Sequence, residues 1–135
     1  MLRLHFPPDT QRKAVIYWVV TVLVAAENLL GGAWDVLRTP YVSKIMVDLH
    51  YPLYVLTIIG VWKLLGALVI LVPRFPRLKE WAYAGMFFDY TGAVASHLAV
   101  GHNFFQYIAY PLLVAILVLV SWSLRPASRR EPITG

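Results

Sequence analysis

A chain of 135 residues has the length of one domain, but 59% of its residues are hydrophobic and only 14% are charged. Soluble domains have about 45–50% apolar and about 25% charged residues, and a small domain leaves much of its chain exposed, so this composition excludes disorder and disfavours a water-soluble enzyme. The chain has no cysteine, which excludes disulfides, thiolate nucleophiles and Cys-ligated metals.

Four apolar segments follow one another along the chain and are predicted to be membrane-spanning helices. They cover residues 14–34, 52–72, 81–100 and 104–124. At ~1.5 Å rise per residue each forms a rod about 30 Å long, which matches the hydrocarbon core of a bilayer. Because lipid offers the backbone no hydrogen bonds, the segments should be helical. The predicted fold is therefore an all-α integral membrane four-helix bundle.

Prolines and aromatic residues mark the ends of these spans. Pro52 and Pro73 bracket the second span, and Pro73 with Pro76 predicts a short non-helical link before Trp81. Aromatic rings near span ends suit the headgroup level of a membrane. The residues concerned are Tyr17, Trp18, Trp34, Tyr51, Trp81 and Trp122.

Lysine and arginine are distributed unevenly between the connecting segments. Nine of the twelve share one side of a four-span protein, whereas Arg38 and Lys44 lie on the other. Because basic residues are enriched in cytoplasmic loops, both termini are predicted to be cytoplasmic. The predicted parts are an N-terminal tail (1–13), the four-helix domain (14–124) and a flexible tail (125–135). Anionic lipid, not nucleic acid, is the expected partner of the positive charge of +5.

Residues 1–26 have some features of a cleaved signal peptide. An apolar core begins at Ala14, and small residues follow at Ala25 and Ala26. The leader also contains two prolines and an aspartate at positions 7–9, and hydrophobicity resumes after Asn28. We therefore expect the segment to be retained as the first span.

Three charged residues, Glu27, Lys63 and Asp89, lie inside predicted spans. Each costs about 2.5–3.5 kcal/mol to insert at a helix centre, so they should face the bundle interior and find partners. Their positions along the spans, and so their depths in the membrane, predict a Glu27–Lys63 ion pair. Asp89 is then expected to lie farther from the pair or to be partly protonated. The three are also the candidate catalytic residues. Two interpretations stay open: a cluster that only fixes helix pairing, or a functional site.

Further polar residues accompany this cluster. Gly85, Asp89, Gly92 and Ser96 share one stripe of the third span, where small residues allow close helix contact or leave room for a ligand. The predicted ligand-binding set is Glu27, Asn28, Lys63, Asp89, Ser96 and His97.

Histidines cluster on the predicted outer side. His50, His97 and His102 are weak candidates for metal ligands, because imidazoles together with carboxylates bind Zn²⁺. His97 and His102 are five residues apart and do not share a helix face, and no metalloenzyme motif is present. The sequence therefore predicts no metal site, and His97 is interpreted as an interfacial hydrogen-bonding residue.

Residues 51–101 contain three distinctive blocks. They are Trp62-Lys63-Leu64-Leu65-Gly66-Ala67, the run PRFPRLKEWAYAG from Pro73 to Gly85, and Gly92-Ala93 through Ser96-His97-Leu98. Together with Glu27, these blocks resemble the DoxX-like family of small four-span bacterial membrane proteins. The resemblance implies a multi-pass protein of the bacterial inner (plasma) membrane. Because DoxX proteins proper are subunits of quinone-linked sulfur oxidation, it also implies a redox setting and a quinone cofactor, but no catalytic residues.

Three hypotheses for function follow. The first is an accessory membrane subunit in redox or envelope physiology whose charged centre binds an apolar ligand such as a quinone or lipid. The second is an intramembrane acid–base enzyme, isomerase-like, acting on a lipid or isoprenoid substrate. The third is a small transporter or channel that works as an oligomer. The expected partners are the lipid bilayer and a membrane protein or a second copy of the chain.

Overall fold

The computed structural model describes residues 8–130, and all regular structure in this range is helical. The helices are α1 (Pro8–Val36), α2 (Pro40–Asp48), α3 (Tyr54–Leu71), α4 (Pro76–Ala99) and α5 (Ala109–Ser123). A π-helical turn, Phe104–Ile108, leads into α5, and a 3-10 turn, Ala127–Arg129, follows it. The predicted all-α class is confirmed. Residues 1–7, most of the predicted N-terminal tail, lie outside the described range.

Within residues 8–130, three helical segments are long and apolar enough to cross a bilayer. They are Pro8–Val36, Tyr54–Leu71 and Phe104–Ser123. Large apolar side chains such as Val19, Trp62 and Phe105 project outward from them and are exposed. A soluble monomer does not expose so much apolar surface, so this surface contacts lipid. The chain is therefore a membrane protein. Helix α4 has sufficient length, at 24 residues, but is more polar than these three.

The four long helices pack around one apolar core. Helix α1 packs against α3 and α5, and α4 packs against the same two helices. The core side chains come from all four helices and include Val24, Ala67, Ile70, Tyr83, Met86, Val114 and Val118. Backbones of α1 and α3 approach most closely where Gly32 faces Gly60, since a Cβ atom on Gly60 would lie 2.7 Å from the carbonyl oxygen of Gly32. Two glycines are therefore what allows this helix pair to form.

One end of the bundle, which we call the basic end, contains the C-terminus of α3 and its buried cationic partners. Lys79 is 1% exposed and donates to the carbonyl oxygens of Val69 (2.7 Å), Val72 and Arg74 (2.6 Å). Arg129 donates to the carbonyls of Ile70, Leu71 and Val72, and it shares the Val72 carbonyl with Lys79. The last carbonyls of a helix have no partner within it, so these two side chains satisfy groups that burial would otherwise leave unpaired.

The tail after α5 is shorter than the sequence predicts. Residues 125–130 do not form a loose tail, because Arg129 binds the end of α3 and Arg125 forms an ion pair with Glu80 at 2.8 Å. Arg129 also lies over the ring of Trp18, 4.8 Å from its centre. Only residues 131–135 of the predicted tail remain, and they lie outside the described range.

Helix α1 begins at Pro8, within the predicted N-terminal tail, and two further helices differ from the expected spans. Helix α4 begins at Pro76, five residues before Trp81, because proline is well suited to the first position of a helix. The non-helical link is therefore confined to residues 72–75. Helix α2 occupies part of the connection between the first two spans and was not expected. It also begins with a proline, Pro40, and has no buried residue.

Candidate functional site

A cavity of about 1030 Å³ opens at the end of the bundle opposite the basic end, which we call the cavity end. The C-terminal half of α1, the N-terminal half of α3 and the C-terminal half of α4 form its walls, together with the π-helical turn and the start of α5. Helix α2 lies across it and contributes Tyr41, Ile45 and Met46. Most of the wall is apolar or aromatic, but four charged residues also line it: Glu27, Asp35, Lys63 and Asp89.

Lys63 is the centre of this charged group. Its Nζ atom lies 3.1 Å from Asp35 Oδ2 and 3.9 Å from Asp89 Oδ2. The three side chains are 16%, 7% and 27% exposed, so all face inward. This pairing lowers the free-energy cost of placing charged side chains within the membrane, which is high for an unpaired charge.

The predicted ion pair between Glu27 and Lys63 is wrong, because Asp35 takes the place of Glu27. Asp35 lies one residue beyond the predicted end of the first span, but α1 continues to Val36. Side chains lean toward the N-terminus of their helix, so Lys63 points toward the cavity end, where Asp35 lies. A sequence signal existed: Asp35 follows Glu27 by eight residues, about two helical turns, and so shares its face.

Glu27 has a different partner. The hydroxyl of Tyr110, at the start of α5, donates a hydrogen bond to Glu27 Oε2. The other carboxylate oxygen lies over Gly31, where a Cβ atom would be 3.2 Å from Glu27 Oε1 and 3.6 Å from Lys63 Nζ. Gly31 therefore provides the space in which both charged groups extend into the cavity.

Tyr90 lines the same cavity and has a buried hydroxyl without a partner. The residue is 4% exposed, and its hydroxyl has no hydrogen-bond partner among the described residues. Lys63 Nζ lies 5.5 Å from the centre of the Tyr90 ring. Buried polar groups are nearly always hydrogen-bonded, so the unpaired hydroxyl of this cavity-lining residue is an exception. Nothing in the sequence distinguishes Tyr90 from the other aromatic residues.

The other predicted ligand-binding residues divide into two groups. Ser96 and His97 line the cavity, as do Glu27, Lys63 and Asp89. Asn28 does not, because its side chain is fully buried and donates back to the Val24 carbonyl of its own helix at 2.8 Å. Five of the six predicted residues thus share one cavity, and their binding of a ligand stays a prediction.

His97 and His102 contact each other, contrary to the argument from helical spacing. Their Nδ1 atoms are 2.8 Å apart, and Tyr107 stacks on both rings. The helix ends at Ala99, and Gly101, with a φ of +74°, turns the chain back so that the His102 amide donates to the His97 carbonyl. This is a Schellman turn, in which glycine adopts the left-handed conformation without steric cost.

The three histidines do not form a metal site. His50 is exposed at the end of α2 and does not line the cavity. Within residues 8–130 no group of three His, Asp or Glu side chains has an arrangement that could hold a metal ion. The His97–His102 pair is instead a hydrogen-bonded aromatic stack at the cavity edge.

A protein-family model matches most of the chain. The model of the DoxX-like family matches residues 19–121, from the first span to the last. The chain belongs to the DoxX-like family. The resemblance carried by the blocks around Lys63, Pro73 and Ser96 is thereby confirmed. No curated protein and no solved structure matches the chain.

Proposed function

We propose that this DoxX-like protein binds an amphipathic ligand, such as a quinone or a lipid, in the cavity. The observation that carries the proposal is a cavity with apolar walls in which four charged side chains meet: Glu27, Asp35, Lys63 and Asp89. Ligand sites are typically concave and mostly apolar, with a few converging polar groups, and have volumes of about 300–1,000 Å³. The cavity, at about 1030 Å³, has space for a headgroup and part of a tail.

We further propose that α4 is the fourth span and that both termini are cytoplasmic in a bacterial inner membrane. The charged residues of α4 support its assignment as a span, because none of these three needs to face lipid. Lys79 and Glu80 lie at the basic end, and Asp89 faces the cavity. Lys and Arg outside the spans are concentrated at the basic end, which the positive-inside rule assigns to the cytoplasm. The cavity then opens on the outer side, where an accessory subunit in redox or envelope physiology would receive its ligand.

Filling the cavity should remove the ligand. Ala93 lines the cavity on α4, whereas Ala84, on the same helix, is exposed and lies outside it. We expect Ala93→Phe to lose most of the lipid or quinone that co-purifies with the protein, because its ring occupies the ligand space. The measurement is mass spectrometry of organic extracts from equal amounts of purified protein. Ala84→Phe is the matched control and should retain the ligand. Equal ligand content in the two variants would contradict the proposal.

A second candidate function, an intramembrane acid–base enzyme, is supported by one specific feature. The cavity reaches Asp89 and Glu27, so a substrate could contact either carboxylate. In that case the co-purifying molecule would be converted on incubation, and Asp89→Asn or Glu27→Gln would bind it without converting it. A transporter or channel formed by one copy of the chain is disfavoured. Core side chains such as Val24, Tyr83 and Met86 fill the bundle between the cavity and the basic end, so they block a path for a solute.

A further inference from the structure

We propose that the headgroup bound in this cavity is a protonated amine, so that the ligand is a cationic amphiphile and not a neutral or acidic one. This inference rests on the proposed ligand-binding function and specifies its chemistry. It follows from three features of the cavity wall: the excess of carboxylates, the unpaired Tyr90 hydroxyl and the aromatic rings.

The carboxylates outnumber the cations in the cavity. Glu27, Asp35 and Asp89 line it, but of the lysines and arginines in residues 8–130 only Lys63 does so. Lys63 is engaged by Asp35 at 3.1 Å and by Asp89 at 3.9 Å. Glu27 has a neutral partner, the Tyr110 hydroxyl. Negative charges in a low-dielectric region are costly unless positive charge lies nearby. Three carboxylates share one lysine here, and a cationic headgroup would supply the missing positive charge.

Tyr90 provides the independent evidence for a ligand. The residue lines the cavity, and its buried hydroxyl has no hydrogen-bond partner among the described residues. A protonated amine has N–H groups, so it can donate to the Tyr90 oxygen and to a carboxylate at the same time. A quaternary amine has no N–H and would leave this hydroxyl unpaired.

Aromatic rings surround the same space. Trp34, Tyr41, Phe88, Tyr107 and Tyr110 line the cavity. Faces of such rings attract cations, and a combination of rings and carboxylates is typical of sites for organic ammonium groups. An acidic headgroup would instead meet three carboxylates, and Lys63, which would have to bind it, already has two partners.

The test uses three probes that have the same twelve-carbon tail and differ in headgroup: n-dodecylammonium, n-dodecanol and n-dodecyl sulfate. The full chain in a neutral detergent is titrated with each, and bound adducts are counted by native mass spectrometry. We expect one equivalent of n-dodecylammonium to bind at least about tenfold more tightly than n-dodecanol, and n-dodecyl sulfate to bind most weakly. Ala93→Phe should abolish this binding.

Three variants locate the headgroup. Tyr90→Phe and Asp89→Asn should each weaken n-dodecylammonium binding by about tenfold. Tyr90→Phe removes a hydroxyl that has no partner, so it should fold with unchanged or greater stability and remain informative if Asp89→Asn does not fold. Glu80→Gln is the control, because Glu80 lies at the basic end, paired with Arg125. It should bind the probe as the unmodified chain does.

Three results would overturn the inference, and they can be distinguished from one another. If n-dodecanol or n-dodecyl sulfate binds as tightly as n-dodecylammonium and Ala93→Phe blocks that binding, the cavity is a ligand site but not one for amines. If Ala93→Phe changes the binding of no probe, the proposed function fails as well. Unchanged n-dodecylammonium binding by both Tyr90→Phe and Asp89→Asn would also overturn the assignment of the headgroup.

Discussion

Gly60→Ala is expected to lower the free energy of unfolding by about 1–3 kcal/mol, the range for overpacking a tight contact. A Cβ atom at this position would lie 2.7 Å from the Gly32 carbonyl oxygen and 2.8 Å from the Val36 amide nitrogen. Both are backbone atoms, so the helices must separate. The expected result is a clear fall in the thermal midpoint of the purified protein, measured in one detergent.

Gly85→Ala is the matched control for that substitution. It also places a methyl group on a helical glycine, but no atom outside the adjoining stretch of its own helix lies within 4 Å of the new Cβ. Since alanine is favoured over glycine within a helix by roughly 0.5–1 kcal/mol, this variant should be as stable as the unmodified chain or slightly more so. Equal midpoints for the Gly60 and Gly85 variants would show that α1 and α3 do not pack through their glycines.

Lys63→Met should destabilise the protein by about 3–5 kcal/mol, because removing one partner of a buried ion pair leaves the other charge uncompensated. Asp35, 7% exposed, would lose its partner at 3.1 Å. Methionine keeps most of the side-chain volume, so the loss reports on charge and not on a void. Thermal unfolding followed by circular dichroism measures the change.

The double variant Lys63→Met/Asp35→Asn separates charge pairing from other effects. It removes both members of the pair, and neutral replacements of buried ion pairs are often tolerated. We therefore expect it to recover most of the stability lost in Lys63→Met. A double variant no more stable than Lys63→Met would mean that the Lys63–Asp35 pair does not determine the stability of the centre. A stable double variant that binds no ligand would favour a functional site over a cluster that only fixes helix pairing.

The apolar segments could be located from the sequence because length and hydropathy depend on residue type alone. Helix α2 could not, because it is short, has no buried residue and forms in a connection between spans. The charged centre was located only in part. Lys63 and Asp89 lie where the spans place them, but Asp35 falls just beyond the predicted edge of the first span, and Tyr110 comes from a helix with no apparent link to Glu27.

His97 and His102 show why spacing arguments fail at helix ends. Residues five apart diverge on a continuous helix, but these two meet because the helix ends at Ala99 and Gly101 reverses the chain. Similarly, Arg129 belongs to the predicted flexible tail, yet it binds carbonyls of α3. Both contacts form at a helix end, where the hydrogen bonds of the helix backbone stop. Hydropathy does not show where a helix ends.

The most direct test of an open cavity at the outer end is the reactivity of single cysteines, since the chain has none of its own. Ser96→Cys lies in the cavity wall, Ser121→Cys in the buried core and Ser123→Cys at the basic end. With a charged, membrane-impermeant methanethiosulfonate, we expect Ser96→Cys to react in right-side-out vesicles, Ser123→Cys only in inverted ones and Ser121→Cys in neither. A Ser96→Cys protein that reacts only in inverted vesicles, or in neither preparation, would contradict the account.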